Sequence, residues 1–273
     1  MPHCNRMAHS TFFAALALFL GQADALAGGV QRLDLSGLEH GDVVSGTTIN
    51  GVTIGVNNFD TNNGPRSESD SDDYAVIFDS RETPTRDSDL EDPFSLGNLA
   101  GRIDVGNLVI IQETGVPTST PDDEGSRPAG NLFFDFDRAV TSFGFDLIDV
   151  EEVGEFDEGT GFVATFVSGD EAFQVGFREF AESSIANSQT EAATFFDPSV
   201  VFGNNSANRI SPITAAQFGL TSFDSVTVNF GGSAGIANIN FTPVPSPSAV
   251  AGSLIGVVGL GCVSYRQRRR RGA

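Results

Sequence analysis

The chain has 273 residues, 36 acidic against 15 basic, with a formal net charge of −21 and a mean hydropathy of −0.04. It contains no lysine, and nine arginines face 35 acids across residues 28–243, a local balance near −26. Such a surface excludes a nucleic-acid partner, because phosphate contacts need basic side chains. The same surface argues against docking on anionic lipid and is compatible with divalent cations, cationic partners or plain solubility.

Residues 1–27 open the chain with Arg6, an apolar run over 11–20 and Ala25-Leu26-Ala27 before Gly28. A basic start, an apolar middle and a small-residue cleavage site make the layout of a secretory signal peptide. Cysteine occurs only at Cys4 and Cys262, so residues 28–243 carry none and no disulfide can staple them. That segment, long enough for one domain, must be held by its own core or by metal. Its core material is phenylalanine, 24 in the whole chain with no tryptophan, which suits sheet packing better than an exposed sugar-stacking platform.

Alternating or apolar runs bounded by Gly, Asp, Asn and Ser predict strands at 30–35, 48–56, around Ile77, and at 107–112. Two more are expected at 132–137 and 142–149, where Leu132, Phe134 and Phe136, then Phe143, Phe145 and Leu147, share a face. Later strands are expected at 161–167, 172–177, 225–230 and 236–241, and 212–219 is the one stretch that reads as helix. Polar low-complexity loops are expected at 60–73, 114–130 and 181–198. The fold class that follows is all-β, an antiparallel two-sheet sandwich of jelly-roll type.

Acidic clusters stand at Asp70-Ser-Asp-Asp73, Asp87-Ser-Asp-Leu-Glu-Asp92 and Pro121-Asp-Asp-Glu124. Calcium takes six to eight oxygen ligands, which such loops can supply, although none has EF-hand spacing. His40 is the one histidine in 28–243 and sits in a loop-like, exposed stretch. With it alone and no cysteine, a serine triad, thiol catalysis and a histidine-rich zinc site lack their parts. Carboxylates are so abundant that no pair is singled out for glycoside cleavage. No catalytic residue is expected, and the chain reads as a non-enzyme.

The C-terminal residues 244–273 carry Val244, Pro245, Ser246 and Pro247, an uncharged apolar stretch over 249–265, then Arg266 and the cluster Arg268, Arg269, Arg270 and Arg271. Seventeen apolar residues reach the lower limit for a helix crossing a hydrocarbon core of roughly 30 Å. The arginines hold that end on the cytoplasmic side and place residues 28–243 outside.

Two resemblances attach to these motifs. The two ends together resemble the PEP-CTERM class of bacterial surface proteins, in which a Pro-Glu-Pro motif precedes a short span and an arginine cluster. Here Ser246 stands where that class has glutamate. The resemblance implies an exosortase-like protease-transpeptidase as partner, a transient inner-membrane anchor through the span, and delivery to the cell envelope, outer surface or extracellular matrix. Residues 74–150 resemble a jelly-roll-like module of secreted bacterial proteins. Its motifs are Phe78-Asp79-Ser80, Asp87-Ser88-Asp89-Leu90, a strand over 107–113, an acidic loop over 122–125, and Phe134-Asp135-Phe136. If a calcium site exists there, Asp79, Asp87, Asp89 and Asp122 are its candidate ligands; the alternative is a set of solvated acidic loops.

The reading that follows is an exported, non-catalytic surface or matrix protein processed at its C-terminal signal. A calcium-dependent polysaccharide-binding module and a secreted glycoside hydrolase are the alternatives. The first needs one pocket of acidic loops near a sheet edge, the second two facing carboxylates in a cleft.

Overall fold

A computed structural model describes residues 28–59, 73–113, 120–150, 162–176 and 200–245. The expected signal peptide, most of the 60–73 loop, the 181–198 loop, Ser246, Pro247, the apolar span and the arginine cluster lie outside the described residues. Among the described residues no helix is long and apolar enough to cross a membrane. The chain divides into a compact unit, Gln31–Thr242, and a second formed by the two ends, Met1–Val30 and Pro243–Ala273.

The architecture is all-β and its strand pairs are antiparallel. In chain order the strands are β1 (Gln31–Arg32), β2 (Thr48–Ile49), β3 (Val52–Asn58), β4 (Ala75–Asp79), β5 (Asn107–Ile111) and β6 (Gly130–Ile148). They continue with β7 (Phe162–Ser168), β8 (Glu171–Gly176), β9 (Ala207–Thr214), β10 (Phe223–Phe230) and β11 (Gly235–Pro243). All belong to one hydrogen-bonded network whose main path runs β4-β5-β11-β6-β10-β7-β8. The 19-residue β6 joins its two halves. Its first part pairs with β3, from Val52 opposite Phe136 to Asn58 opposite Gly130, and with β10 on the other side. Its second part pairs with β9, from Ser142 opposite Thr214 to Ile148 opposite Ala207. Side chains from both halves meet in one core: Ile54, Phe134 and Val226 from the first, Ile77, Val109, Phe145 and Ile236 from the second. The packing is therefore sandwich-like.

The two strands expected at 132–137 and 142–149 are thus one. A register shift between Phe143 and Phe145 marks where β6 bends. Gly144 sits at that bend, and a Cβ there would lie 2.8 Å from Asn240 Oδ1 and 3.1 Å from Pro212 Cγ. The expected helix over 212–219 also differs: β9 continues to Thr214, and a single 3-10 turn, Ala215–Phe218, follows. Gln217 Oε1 accepts from the Thr214 backbone N–H at 2.6 Å, and Gly219 ends the turn at φ 73°. Proline is tolerated in β9 because it falls where the pairing is already irregular. The strand expected at 30–35 is only two residues long, and beyond Arg32 the Leu33 N–H makes one more bond to β11, at the Ile239 carbonyl (2.9 Å).

Phenylalanine fills the core with tilted ring contacts, Phe134 on Phe143 at 5.5 Å and Phe166 on Phe223 at 4.7 Å between centroids. Strands β4 and β5 are apolar on both faces, and the second face explains what covers the site region. Val76, Phe78, Leu108 and Ile110 turn away from the main core and are covered by Leu90, Phe94, Leu99 and Val105. Those four come from the long connection between β4 and β5, wrapped over the sheet as a sheath.

Candidate metal centre

The sheath places the first acidic segment. Leu90 is fully buried and pins a 3-10 turn, Ser88–Leu90, against the sheet. Asp87 caps that turn, accepting the Asp89 N–H at 3.0 Å. The second acidic segment is held by backbone pairing alongside the end of β5. Glu113 donates to the Asp122 carbonyl and Glu124 to the Ile111 carbonyl, both at 2.9 Å, with Gln112 opposite Asp123. The part of the expected 114–130 loop that is described is therefore ordered by the sheet, and Asp123, Glu124 and Ser126 in it are buried.

This brings Asp87, Asp122 and Asp123 together, with a carboxylate oxygen of each within 4.8 Å of the others. Asp149 joins them at the end of β6, in a left-handed conformation (φ 56°). Its Oδ1 accepts the Asn205 N–H at 2.6 Å. The Ser233 hydroxyl bridges the two buried acids, 2.7 Å from Asp123 Oδ2 and 3.2 Å from Asp149 Oδ2. Among the described residues Arg86 brings a cation to the group, pairing with Asp122 at 2.8 Å and reaching toward Glu113 at 3.7 Å.

Charge is therefore badly balanced here. Burial pushes the Asp149 carboxyl up to about 8, the negative charges of Asp87 and Asp89 push the same way, and the Asn205 and Ser233 hydrogen bonds oppose them. Asp123, only 7 % exposed, is raised well above the ordinary carboxylate range by burial first and then by Asp87 and Asp149. Glu113 is raised by sharing a hydrogen bond with Asp122 and by partial burial. Asp87 Oδ2 is buried without a hydrogen-bond partner. Carboxylates crowded this way must take up protons or share a cation. A hard divalent ion held by carboxylate and hydroxyl oxygens suits the donor set of Asp87, Asp122, Asp123, Asp149 and Ser233.

Of the four candidate ligands read from sequence, Asp87 and Asp122 lie in the cluster. Asp89 lies at its edge: its carboxylate accepts from Asn204 Nδ2 at 3.0 Å while its charge reaches Asp149. Asp79 is elsewhere, gripped by Arg81 through two bonds of 2.7 Å that hold its carboxyl below the usual range. The expected loop histidine, His40, accepts the Asp79 backbone N–H at 3.1 Å and packs on Phe78. Asp123, Asp149 and Ser233 were not among the sequence candidates. A signal existed for Asp123, paired with Asp122 in one motif, and for Asp149, an acid closing an apolar strand end. Ser233, in a Gly-Gly-Ser turn, has none.

No protein-family model matches the chain, and a search of curated proteins finds no match.

Proposed function

We propose that this chain is an exported bacterial surface or matrix protein of the PEP-CTERM type, whose cargo is a non-catalytic, jelly-roll-like sandwich tied together by Ca2+. The N-terminal signal starts export, the short span and arginines stall it, and an exosortase-like enzyme acts near Pro245-Ser246-Pro247. Proline on both sides of Ser246 keeps that junction extended for the enzyme. Calcium clamps the β4–β5 sheath to the end of β6 through Asp87, Asp122, Asp123 and Asp149.

The observation that carries the calcium reading is the convergence of Asp87, Asp122 and Asp123, with Asp149 tied to Asp123 through the Ser233 hydroxyl, on a site that Arg86 balances only in part. The same burial supports a non-catalytic reading, because Asp123 and Asp149 are too enclosed to flank a glycosidic bond. Thermal unfolding of the full chain tests it. Calcium at about a hundred times its dissociation constant adds roughly 2.7 kcal/mol, a rise of about 5–10 °C over the chelated protein for a domain of this size. Equal melting temperatures with calcium and with chelator would sink the reading. The sorting half is tested by mass spectrometry of protein recovered from the cell surface, where the arginine cluster should be missing.

A further inference from the structure

A second concave site lies apart from the acidic cluster and shares no residue with it. It is a 610 Å³ cavity beside β1 and the β2–β3 hairpin, a size suited to a small ligand. Its polar groups are held in place by bonds among the lining residues themselves and, for Arg81, by Asp79. Asn50, left-handed at φ 51° in the hairpin turn, donates through Nδ2 to the Arg32 carbonyl at 3.1 Å. Arg81 is fixed by its two-pronged bond to Asp79. Asp34 is oriented by the Ser36 N–H at 3.1 Å and the Ser36 hydroxyl at 2.6 Å, both to Oδ1. Asn107 uses its Nδ2 on the Leu35 and Leu38 carbonyls, which leaves Oδ1 buried without a hydrogen-bond partner. The Arg32 guanidinium makes no ion pair among the described residues. Asp104 stands exposed at the rim.

Two arginines and two aspartates therefore line one cavity, with Arg81 also paired to Asp79 and Asp104 to Arg102, and their charges cancel. An anion would meet Asp34 and Asp104, and a cation would meet Arg32 and Arg81. A hydroxyl group both donates and accepts, so a ligand dense in hydroxyls satisfies both kinds of wall at once. Its donors answer Asp34 and Asp104, and its acceptors answer Arg32 and Arg81. We propose that this cavity binds an uncharged sugar, one or two residues of a neutral glycan, independently of the calcium cluster. Among the described residues no aromatic ring lines the cavity, so without stacking on the sugar the affinity sits in the weak, roughly millimolar regime typical of a multivalent contact.

Saturation-transfer NMR on the full chain in a sugar-free zwitterionic detergent tests this, with glucose, galactose, mannose and their disaccharides as neutral probes and galacturonate and glucosamine as charged ones. Transfer to at least one neutral probe is expected, with weaker or no transfer to the charged pair, and no change on adding chelator. Arg32→Ala and Asp34→Asn each remove one charge-assisted hydrogen bond and should weaken binding by about tenfold. Both side chains are exposed, so the melting temperature should not move. No transfer to any neutral probe, preference for a charged one, a requirement for calcium, or a signal that survives both substitutions would each overturn the assignment.

Discussion

Asp149 shows how much one side chain can settle. Its backbone is left-handed, its Oδ1 is fixed by the Asn205 N–H, and its Oδ2 meets Ser233. Asparagine keeps that shape and tolerates that φ while removing the charge. At pH 8 without calcium, Asp149→Asn should therefore stabilise the protein by ~1–3 kcal/mol, because it removes a poorly compensated buried charge. It should also abolish most of the melting-temperature gain from calcium, because a ligand is lost. Chemical denaturation with chelator and with calcium reads both effects, and a destabilised variant with an intact calcium gain would refute the placement of Asp149 in the site. Much of this was hidden in the sequence. Asp87 and Asp122 stand out as members of acidic runs and Asp79 as part of the Phe78-Asp79-Ser80 motif, and only the fold shows that Arg81 has claimed Asp79. With so many acids, the selecting information lies in burial and partners, which no local spacing encodes.

At the scale of elements, periodicity carried most of the fold. β4, β5, β7, β8, β10 and β11 lie where apolar alternation puts them, because a strand burying one or two faces leaves that mark directly. The failures are physical. β6 bends at Gly144, and a glycine inside an apolar run reads as a break between strands. β9 contains Pro212 and an exposed face, so its pattern resembles a helix start more than a strand. The sheath was legible only as the acidic cluster over 87–92, yet its few apolar residues, Leu90 and Phe94 among them, fix its path. That path can be tested. Leu90→Ala should cost about 2–5 kcal/mol as a buried large-to-small change. Since Leu90 anchors the turn that Asp87 caps, the calcium gain should shrink with it. Val226→Ala in the main core should lower stability while leaving the calcium gain unchanged. Equal calcium gains in both variants would show that the sheath does not position the site.

For the molecule as a whole, the acid-rich composition and the buried cluster make one joint statement about pH. A carboxyl whose folded pKa is raised binds protons more tightly in the folded state than in the unfolded state. For Asp149 the window runs from its unfolded value of 3.8 to about 8 when folded. Across it the native state holds more protons, so calcium-free stability falls as pH rises and levels off above about 8. Asp123 and Glu113, also raised, act in the same direction. Asp79, lowered by Arg81, acts oppositely: its contribution is present above 3.8 and is lost as pH falls through its folded value. The calcium-free protein should therefore be most stable near pH 4–5 and weaken toward pH 8. Calcium needs the carboxylates ionised, so its stabilisation should grow over the same interval and the two melting curves should diverge with rising pH. Repulsion among the many surface acids also weakens the fold at higher pH, but it does not depend on one residue. Asp149→Asn separates the two causes. It should flatten the chelated slope between pH 5 and 8 by close to one proton's worth while leaving the diffuse repulsion in place. A chelated melting temperature that rises or stays level across that interval in the unmodified chain would mean that the cluster is not proton-loaded, and the case for a cation there would fall with it.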